Sequence, residues 1–313
     1  MPTDAPRSAD TWAVAADVGG TTIRVGLVAG DGTTEIVATE ATPRDADELV
    51  GVLGHHYRSA AATAGAPVRR WGVGVPGLVD VTAGSVANAL NLGIVRPFPL
   101  ADRLEAAAGV RPVLRNDVNC AAVGARDVLA PRGGDDLHDL VYISIGTGLA
   151  AGLVLGGRLH RGVHGAAGEI GHVPLPGGNR PCACGQIGCA ETIVSGTALS
   201  GEAPNGDPAL LWDDAFRDDP HCLSVRRRFA DALAWLVQGQ VMALDPQTVV
   251  IGGGVSRVGK PLRTDLEAAI RRRADESRLV RRYGLGAQVT LVPPDLELGV
   301  AGAGLSALRG SSA

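Results

Sequence analysis

Two segments of this chain, residues 12–28 and 140–155, each read as an apolar strand, a glycine-containing turn and a returning apolar strand. In the first, Trp12 to Asp17 leads through Val18, Gly19, Gly20, Thr21 and Thr22 into Ile23 to Val28. In the second, Leu140 to Ile145 leads through Gly146, Thr147 and Gly148 into Leu149 to Leu155. An apolar strand that reverses at glycines is set to pair with its own continuation, so each segment predicts an antiparallel hairpin. The pattern recurs although the two sequences are not alike. Strands mixed with helices follow each hairpin, which argues for two similar α/β halves rather than one long sheet. A length of 313 residues exceeds the size at which a single core usually keeps growing and agrees with that division.

After the first hairpin a turn at 30–32 leads to a third strand near Glu35 to Thr39. A helix over about 45–64, a strand at 71–75 closed by Pro76-Gly77, an irregular region at 88–99, a helix at 100–108 and a strand at 112–116 complete the first half. The second half opens with a helix at 118–129. Beyond its hairpin come a long helix at 223–244, a strand at 248–251 running into Gly252-Gly253-Gly254, a helix at 262–276, a strand at 288–292 and a helix from Gly299. The polar stretch 201–220 reads as the least ordered of the interior.

The bulk properties exclude several classes. The formal charge is −4 and the longest basic runs are two arginine triplets, at 226 and 271, so no polyanion footprint exists and nucleic acid is not an expected partner. The first twelve residues lack the apolar core of a secretory signal, and no run reaches the ~18 apolar residues of a membrane span. A soluble, cytoplasmic protein with no membrane partner is the expectation.

Three of the five cysteines fall within eight residues, which is no disulfide framework. Cys182, Cys184 and Cys189, with His172 ten residues ahead of them, supply the four nitrogen and sulfur ligands that a tetrahedral structural Zn²⁺ takes. Glu169 and Glu191 flank this set and are left for another task. Cys120 and Cys222 read as ordinary buried thiols.

The turns carry a second chemistry. Glycines at 19, 20, 146 and 148 let backbone amides approach an anion, and Thr21, Thr22 and Thr147 add hydroxyl donors, so both hairpins suit phosphate. Asp17, at the strand end, suits Mg²⁺ held through water or a phosphate-activating solvent molecule. Lys260, the only lysine, lacks the Gly-x-x-x-x-Gly-Lys context of a Walker loop. Gly19-Gly20 is followed by a strand and not by the helix of a dinucleotide fingerprint.

Taken in order, Asp17-Val-Gly-Gly-Thr, Gly74-Val-Pro-Gly-Leu-Val-Asp80, Asn91-Leu-Gly, Asn116-Asp-Val-Asn119, Gly146-Thr-Gly, Gly168-Glu-Ile-Gly-His172, Cys182-x-Cys-Gly-x-x-Gly-Cys189-x-Glu191 and Ile251-Gly-Gly-Gly-Val255 resemble the motifs of the ROK family (repressor, open reading frame, kinase), closest to its bacterial ATP-dependent glucokinases. The resemblance covers nearly the whole chain. It implies a duplicated actin-like (ribonuclease-H-like) ATPase fold of two domains, 12–116 and 117–298, with ATP and sugar meeting in an interdomain cleft, the C-terminal helix 299–310 returning to the first domain and a zinc segment at 172–189.

The resemblance also implies that Asp117 is the general base that takes a proton from the 6-hydroxyl of glucose as that oxygen attacks the γ-phosphoryl group. The alternative for Asp117 from local chemistry alone is a helix cap after the strand at 112–116. Gly77, Asn91, Asn116, Asp117, Glu169, His172 and Glu191 match sugar-binding positions. Asp17, Gly19, Gly20, Thr21, Thr22, Gly146, Thr147, Gly148, Gly253 and Gly254 match nucleotide-binding ones. His172 would bind zinc through one ring nitrogen and face the sugar with the other. The chain departs from the family at Ala150, where glycine is common, and by lacking a glutamate in the helix after Asn119. A homodimer or homotetramer is implied.

Other acceptors stay open: fructose, allose, mannose, N-acetylglucosamine or N-acetylmannosamine, with polyphosphate as an alternative donor. A sugar-sensing regulator is disfavoured because only about a dozen residues precede the first strand, too few for a DNA-binding domain. A zinc-ribbon interaction module is disfavoured by the net charge and by Asp117.

Overall fold

The computed structural model describes residues 11–64, 68–130 and 137–310. The chain forms β1 (Trp12–Val18), β2 (Thr22–Ala29), β3 (Thr34–Ala41), α1 (Ala46–Thr63), β4 (Trp71–Val75), β5 (Leu78–Asp80), β6 (Ser85–Ala87), α2 (Leu100–Ala108), β7 (Val113–Asn116) and α3 (Asp117–Val128). It continues with β8 (Leu140–Ile145), β9 (Leu149–Leu155), β10 (Arg158–His160), α4 (Gly196–Ser200), α5 (Pro220–Leu244), β11 (Thr248–Gly252), α6 (Lys260–Glu276), α7 (Arg278–Tyr283), β12 (Val289–Leu291) and α8 (Leu298–Arg309), with short 3₁₀ turns between. Two compact units result: 1–138 with 156–166 and 297–313, and 139–155 with 167–296.

In the first unit the strand order is β3-β2-β1-β4-β7. The β1–β2 and β2–β3 pairs are antiparallel, and β4 and β7 run parallel to β1. Alternation along β1 sends its side chains to both faces. Val14, Ala16 and Val18 pack with Leu49, Leu53 and Tyr57 of α1 and Leu100 and Leu104 of α2. Ala15, with Val28, packs on the other side with Cys120 and Val123 of α3 and Val300, Ala303 and Leu305 of α8. Helix α1 begins where Asp45 accepts the amides of Asp47 and Glu48, satisfying two donors that a helix start leaves open.

The division between units falls beyond α3, not at the 116/117 boundary read from the sequence. The reason is the fit of α3 to α8. A Cβ on Gly302 would stand 2.6 Å from the Cys120 carbonyl carbon and 2.8 Å from the Gly124 nitrogen, and one on Gly124 would stand 2.9 Å from the Leu298 carbonyl carbon. Backbones that close admit no side chain between them, so glycines at both positions allow the two helices to pack together over the sheet.

In the second unit the order is β9-β8-β11-β12, with β9 antiparallel to β8, and β11 and β12 parallel to it. This repeats β2-β1-β4-β7: a hairpin, then two parallel strands. Val141, Ile143, Ile145, Val249 and Ile251 meet Phe229, Leu233 and Val237 of α5 and Leu262, Leu266 and Ile270 of α6 in one core. Helix α5 starts earlier than expected, because Asp219 caps it through the Cys222 amide and Pro220 occupies its first position. The segment 201–220 is not loose. Leu211 and Trp212 are buried in the core, the Trp212 indole donates to Asp265 at 2.7 Å, and Arg226 holds the same carboxylate at 2.8 and 3.0 Å. Asp207 and Asp213 cap its short turns. Among the described residues no helix is long and apolar enough to cross a membrane.

Candidate active site

Asp17 lies near the end of β1, opposite Arg24 in the β1–β2 ladder and opposite Gly74 in the β1–β4 pair. The turn that follows is closed by the Gly19 amide donating to the Thr22 carbonyl (2.9 Å), while the Gly19 carbonyl accepts the Thr42 hydroxyl (2.8 Å). Gly20 and Thr21 at its tip are exposed. Burial pushes the Asp17 carboxyl up to about 7; the Asp117 carboxylate adds to this, Arg24 opposes it and Glu297 reinforces it. A carboxylate with so strong an appetite for positive charge, facing a second one, is a donor set suited to a hard cation such as Mg²⁺.

Asp117 is the first residue of α3. The N-cap of that helix is Asn116, whose Oδ1 accepts the Asn119 amide at 3.1 Å, while Asp117 Oδ1 accepts the Val118 amide at 2.9 Å. Asn116 also donates its amide to the Gly77 carbonyl at 3.3 Å. A Cβ on Gly77 would stand 3.0 Å from that of Ala89, which opens the turn 90–92 carrying the exposed Asn91. Asp17 and Asp117 flank Gly74, whose Cβ would lie 3.5 Å from Asp17 Oδ1 and 3.4 Å from the Asp117 Cα. The first unit thus gathers Asp17, Gly77, Asn116 and Asp117 at the ends of β1, β4 and β7.

In the second unit the Gly146-Thr147-Gly148 turn is held from outside. The Gly146 carbonyl accepts the Gly196 amide (2.7 Å), and the Thr147 carbonyl accepts both the amide (3.3 Å) and the hydroxyl (2.8 Å) of Thr197. With its carbonyls so occupied, the turn keeps the amides of Thr147 and Gly148 without a protein partner among the described residues. That is the polarity an anion needs. Gly253 adjoins the same turn at φ 87°, a conformation glycine adopts without strain, and a Cβ there would stand 2.5 Å from the Ile145 carbonyl oxygen. The buried Ser256 hydroxyl donates to the Gly253 carbonyl at 2.8 Å.

The four-ligand set comes together. Ligand atoms of His172, Cys182, Cys184 and Cys189 all lie within 4.8 Å of one another, with Cys182 Sγ 3.8 Å from His172 Nδ1 and Cys184 Sγ 3.6 Å from Cys189 Sγ. Zn–S bonds of about 2.3 Å in a tetrahedron give S···S edges of about 3.8 Å, so the spacing fits such an ion. Hydrogen bonds from Gln186 hold the exposed Cys184 thiol down at about 6, and burial pushes Cys189 up to about 12. The knuckle is tied to Glu191 and Glu169 through short links: the Ala190 amide donates to the Val173 carbonyl (3.0 Å), and the His172 amide to the Glu169 carbonyl (3.2 Å). Glu169 is exposed, whereas Glu191 is partly buried and accepts the Leu149 amide at 2.9 Å.

Three features were not anticipated from sequence. Gly299 packs on Asp17, Thr197 holds the phosphate-type turn, and Arg180 donates to both the Thr192 carbonyl and Glu202, which Arg228 also grips. Ser195-Gly-Thr was a readable capping signal for α4. The others carry no local mark.

The sequence pattern of the ROK family matches residues 13–285. The chain is 35% identical over 303 residues to the glucokinase of Halalkalibacterium halodurans, covering 85% of this chain and 88% of that one. It is 30% identical over 248 residues to an N-acetylmannosamine kinase of Escherichia coli, covering 77% and 82%. Its structure is similar to a ROK family glucokinase from Streptomyces griseus in complex with glucose and AMPPNP, at TM-score 0.82 and 28% identity, covering 96% of this chain and all of that one. The two repeated α/β units are therefore the duplicated actin-like ATPase fold, and the chain belongs to the ROK family, among its sugar kinases.

Proposed function

We propose that the protein transfers the γ-phosphoryl group of ATP to the 6-hydroxyl of glucose, with Asp117 as general base. The observation that carries this reading is the pairing of Asp17 with Asp117 on either side of Gly74, beside a helix start whose cap is supplied by Asn116. Asp117, whose Oδ1 accepts the Val118 amide at 2.9 Å, would accept the proton of the attacking hydroxyl late in a transfer dominated by positioning and charge stabilisation. Asp17 would hold Mg²⁺, which neutralises charge on the phosphates when bound. The hairpins at 19–22 and 146–148, the second through the amides of Thr147 and Gly148, take the phosphates together with Gly253 and Gly254. Gly77, Asn91, Asn116, Glu169, His172 and Glu191 take sugar hydroxyls, for which carboxylates and amides are fitting acceptors.

His172, Cys182, Cys184 and Cys189 would hold one structural Zn²⁺. His172 presents Nδ1 to the thiols, and this fixes the ring and its tautomer for a sugar contact through Nε2. Glucose as acceptor is supported by the relatives named glucokinase, the stronger of the sequence likenesses. N-acetylmannosamine is the second reading, supported by the kinases of that name at 30% identity. A cytoplasmic location and a dimer or tetramer belong to the same reading.

Turnover with Mg²⁺-ATP across a hexose panel tests it. ADP release is expected fastest with glucose; a faster rate with N-acetylmannosamine moves the acceptor, and no turnover on any hexose removes the kinase reading.

A further inference from the structure

The carboxylate of Glu191 has two neighbourhoods at once. It sits on the 3₁₀ turn 190–192, directly after the zinc-type ligand Cys189, in the wall assigned above to the sugar. Its Oε2 nevertheless reaches the second hairpin, where it accepts the Leu149 amide at 2.9 Å and lies so close to Gly148 that a Cβ there would stand 2.5 Å away. Leu149 is the first residue of β9 and follows the turn proposed above to take phosphate. One side chain therefore touches the frame of both ligands.

Its own base is rigid. The Ala190 amide is bonded to Val173, the Thr192 hydroxyl to the Cys189 carbonyl (2.7 Å), and the Thr192 carbonyl to Arg180 (3.2 Å). Arg180 is in turn anchored on Glu202 at 2.8 Å. A short carboxylate on a fixed base has little freedom beyond rotation about its terminal torsions. Whatever holds Oε1 also sets the direction of Oε2, and with it the bond to Leu149.

We infer that Glu191 is a mechanical link between the sugar wall and the phosphate hairpin: a sugar hydroxyl on Oε1 fixes Oε2 on the Leu149 amide and sets the Gly146–Gly148 turn for nucleotide. The inference rests on the sugar-kinase reading and adds a direction to it. Sugar and nucleotide tighten each other, and by linkage the factor is the same whichever binds first. Glu191 acts here as a positioning residue for the hairpin, in addition to any hydrogen bond it makes to sugar. Glu169, which is exposed, serves as the contrast: a sugar-wall carboxylate that makes no hydrogen bond to the hairpin among the described residues.

The test is calorimetric titration of the full chain with AMP-PNP and Mg²⁺, without and with saturating glucose, or the hexose the turnover panel ranks first. Wild type should show AMP-PNP affinity raised by sugar about fivefold or more, the lower range of ordinary coupling. Glu191→Ala should bring the ratio to about one. Glu191→Gln keeps an oxygen acceptor for Leu149 and should retain most of the ratio while weakening sugar. Gly148→Ala displaces the carboxylate from the hairpin side and should lower the ratio with sugar still bound. Glu169→Gln should weaken sugar and leave the ratio unchanged. A ratio near one in wild type, or a wild-type ratio in both Glu191→Ala and Gly148→Ala, overturns the link while leaving the kinase intact. Failure of wild type to bind or phosphorylate any hexose overturns the kinase reading itself.

Discussion

Gly299, in the first turn of α8, stands against Asp17 at the end of β1: a Cβ on Gly299 would lie 2.5 Å from the Asp17 Cγ and 2.9 Å from its Oδ1. The obstacle is the tip of a side chain, so the protein can yield by moving the carboxylate. Gly299→Ala should therefore fold, helped by the ~1 kcal/mol of helix propensity that alanine adds. It should lose tenfold or more in kcat/KM for ATP, partly restored by raised Mg²⁺. A Mg²⁺ titration of the variant measures this.

Asp17 gives the cation-free protein a pH dependence of stated sign. Its carboxyl is lifted from the usual 3.8 to about 7, by burial first and Asp117 second. The folded state thus holds that proton more tightly than the unfolded chain. The associated stability is complete below about pH 4 and is lost as pH rises to 7. A shift of this size corresponds to about 4 kcal/mol at 1.36 kcal/mol per unit, and the water access left to the carboxylate brings it to the order of 2 kcal/mol. Urea unfolding at pH 4 and pH 8 should show wild type losing that much more than Asp17→Asn.

Removing the proposed base should act on rate alone. Asp117→Asn keeps the shape at the start of α3 and leaves the Asn116 cap in place. It is expected to lower kcat by about 10² to 10⁴, with sugar affinity changed far less. Single-turnover rates and sugar titration separate the two.

The α3–α8 crossing should tolerate no side chain. Gly302→Ala would set a methyl 2.6 Å from the Cys120 carbonyl carbon, against backbone rather than a movable tip. Overpacking of this kind costs about 1–3 kcal/mol, and the rigid obstacle places it at the upper end. The midpoint of urea unfolding reports it, with Gly239→Ala, whose Cβ meets nothing within 4 Å, as the control.

Metal analysis should find about one zinc per chain, the number four converging ligands hold. Stripping it with a chelator should raise KM for sugar tenfold or more and KM for ATP much less, because His172 and Glu191 stand on the knuckle. Cys182→Ser should reproduce the effect and lower the metal content.

Local chemistry made much of this readable. Apolar runs placed β4, β8 and β9, and Asp45 marked the start of α1, whereas the Asp219-Pro220 start of α5 was read three residues late. What escaped is tertiary. β10 and β5 are three-residue pairings, too short for a period to show. The stretch 201–220 reads as loose by composition, yet Leu211 and Trp212 anchor it in the core. Glycines at 124 and 302 look like weak points in helices until the partner backbone is seen. In the same way, the segment at 169–191 showed its cluster of one histidine and three cysteines, but the bond from Glu191 to Leu149 spans 42 residues and leaves no local trace.

The return of α8 to the first unit has a consequence for biosynthesis. Ala15 and Val28 find their cover in Val300, Ala303 and Leu305, which leave the ribosome only after the whole second unit has been made. Until then that face of the first sheet has only α3, through Cys120 and Val123, to cover it. The second unit has no such debt and can close first, reversing the N-to-C order in which nascent domains usually fold.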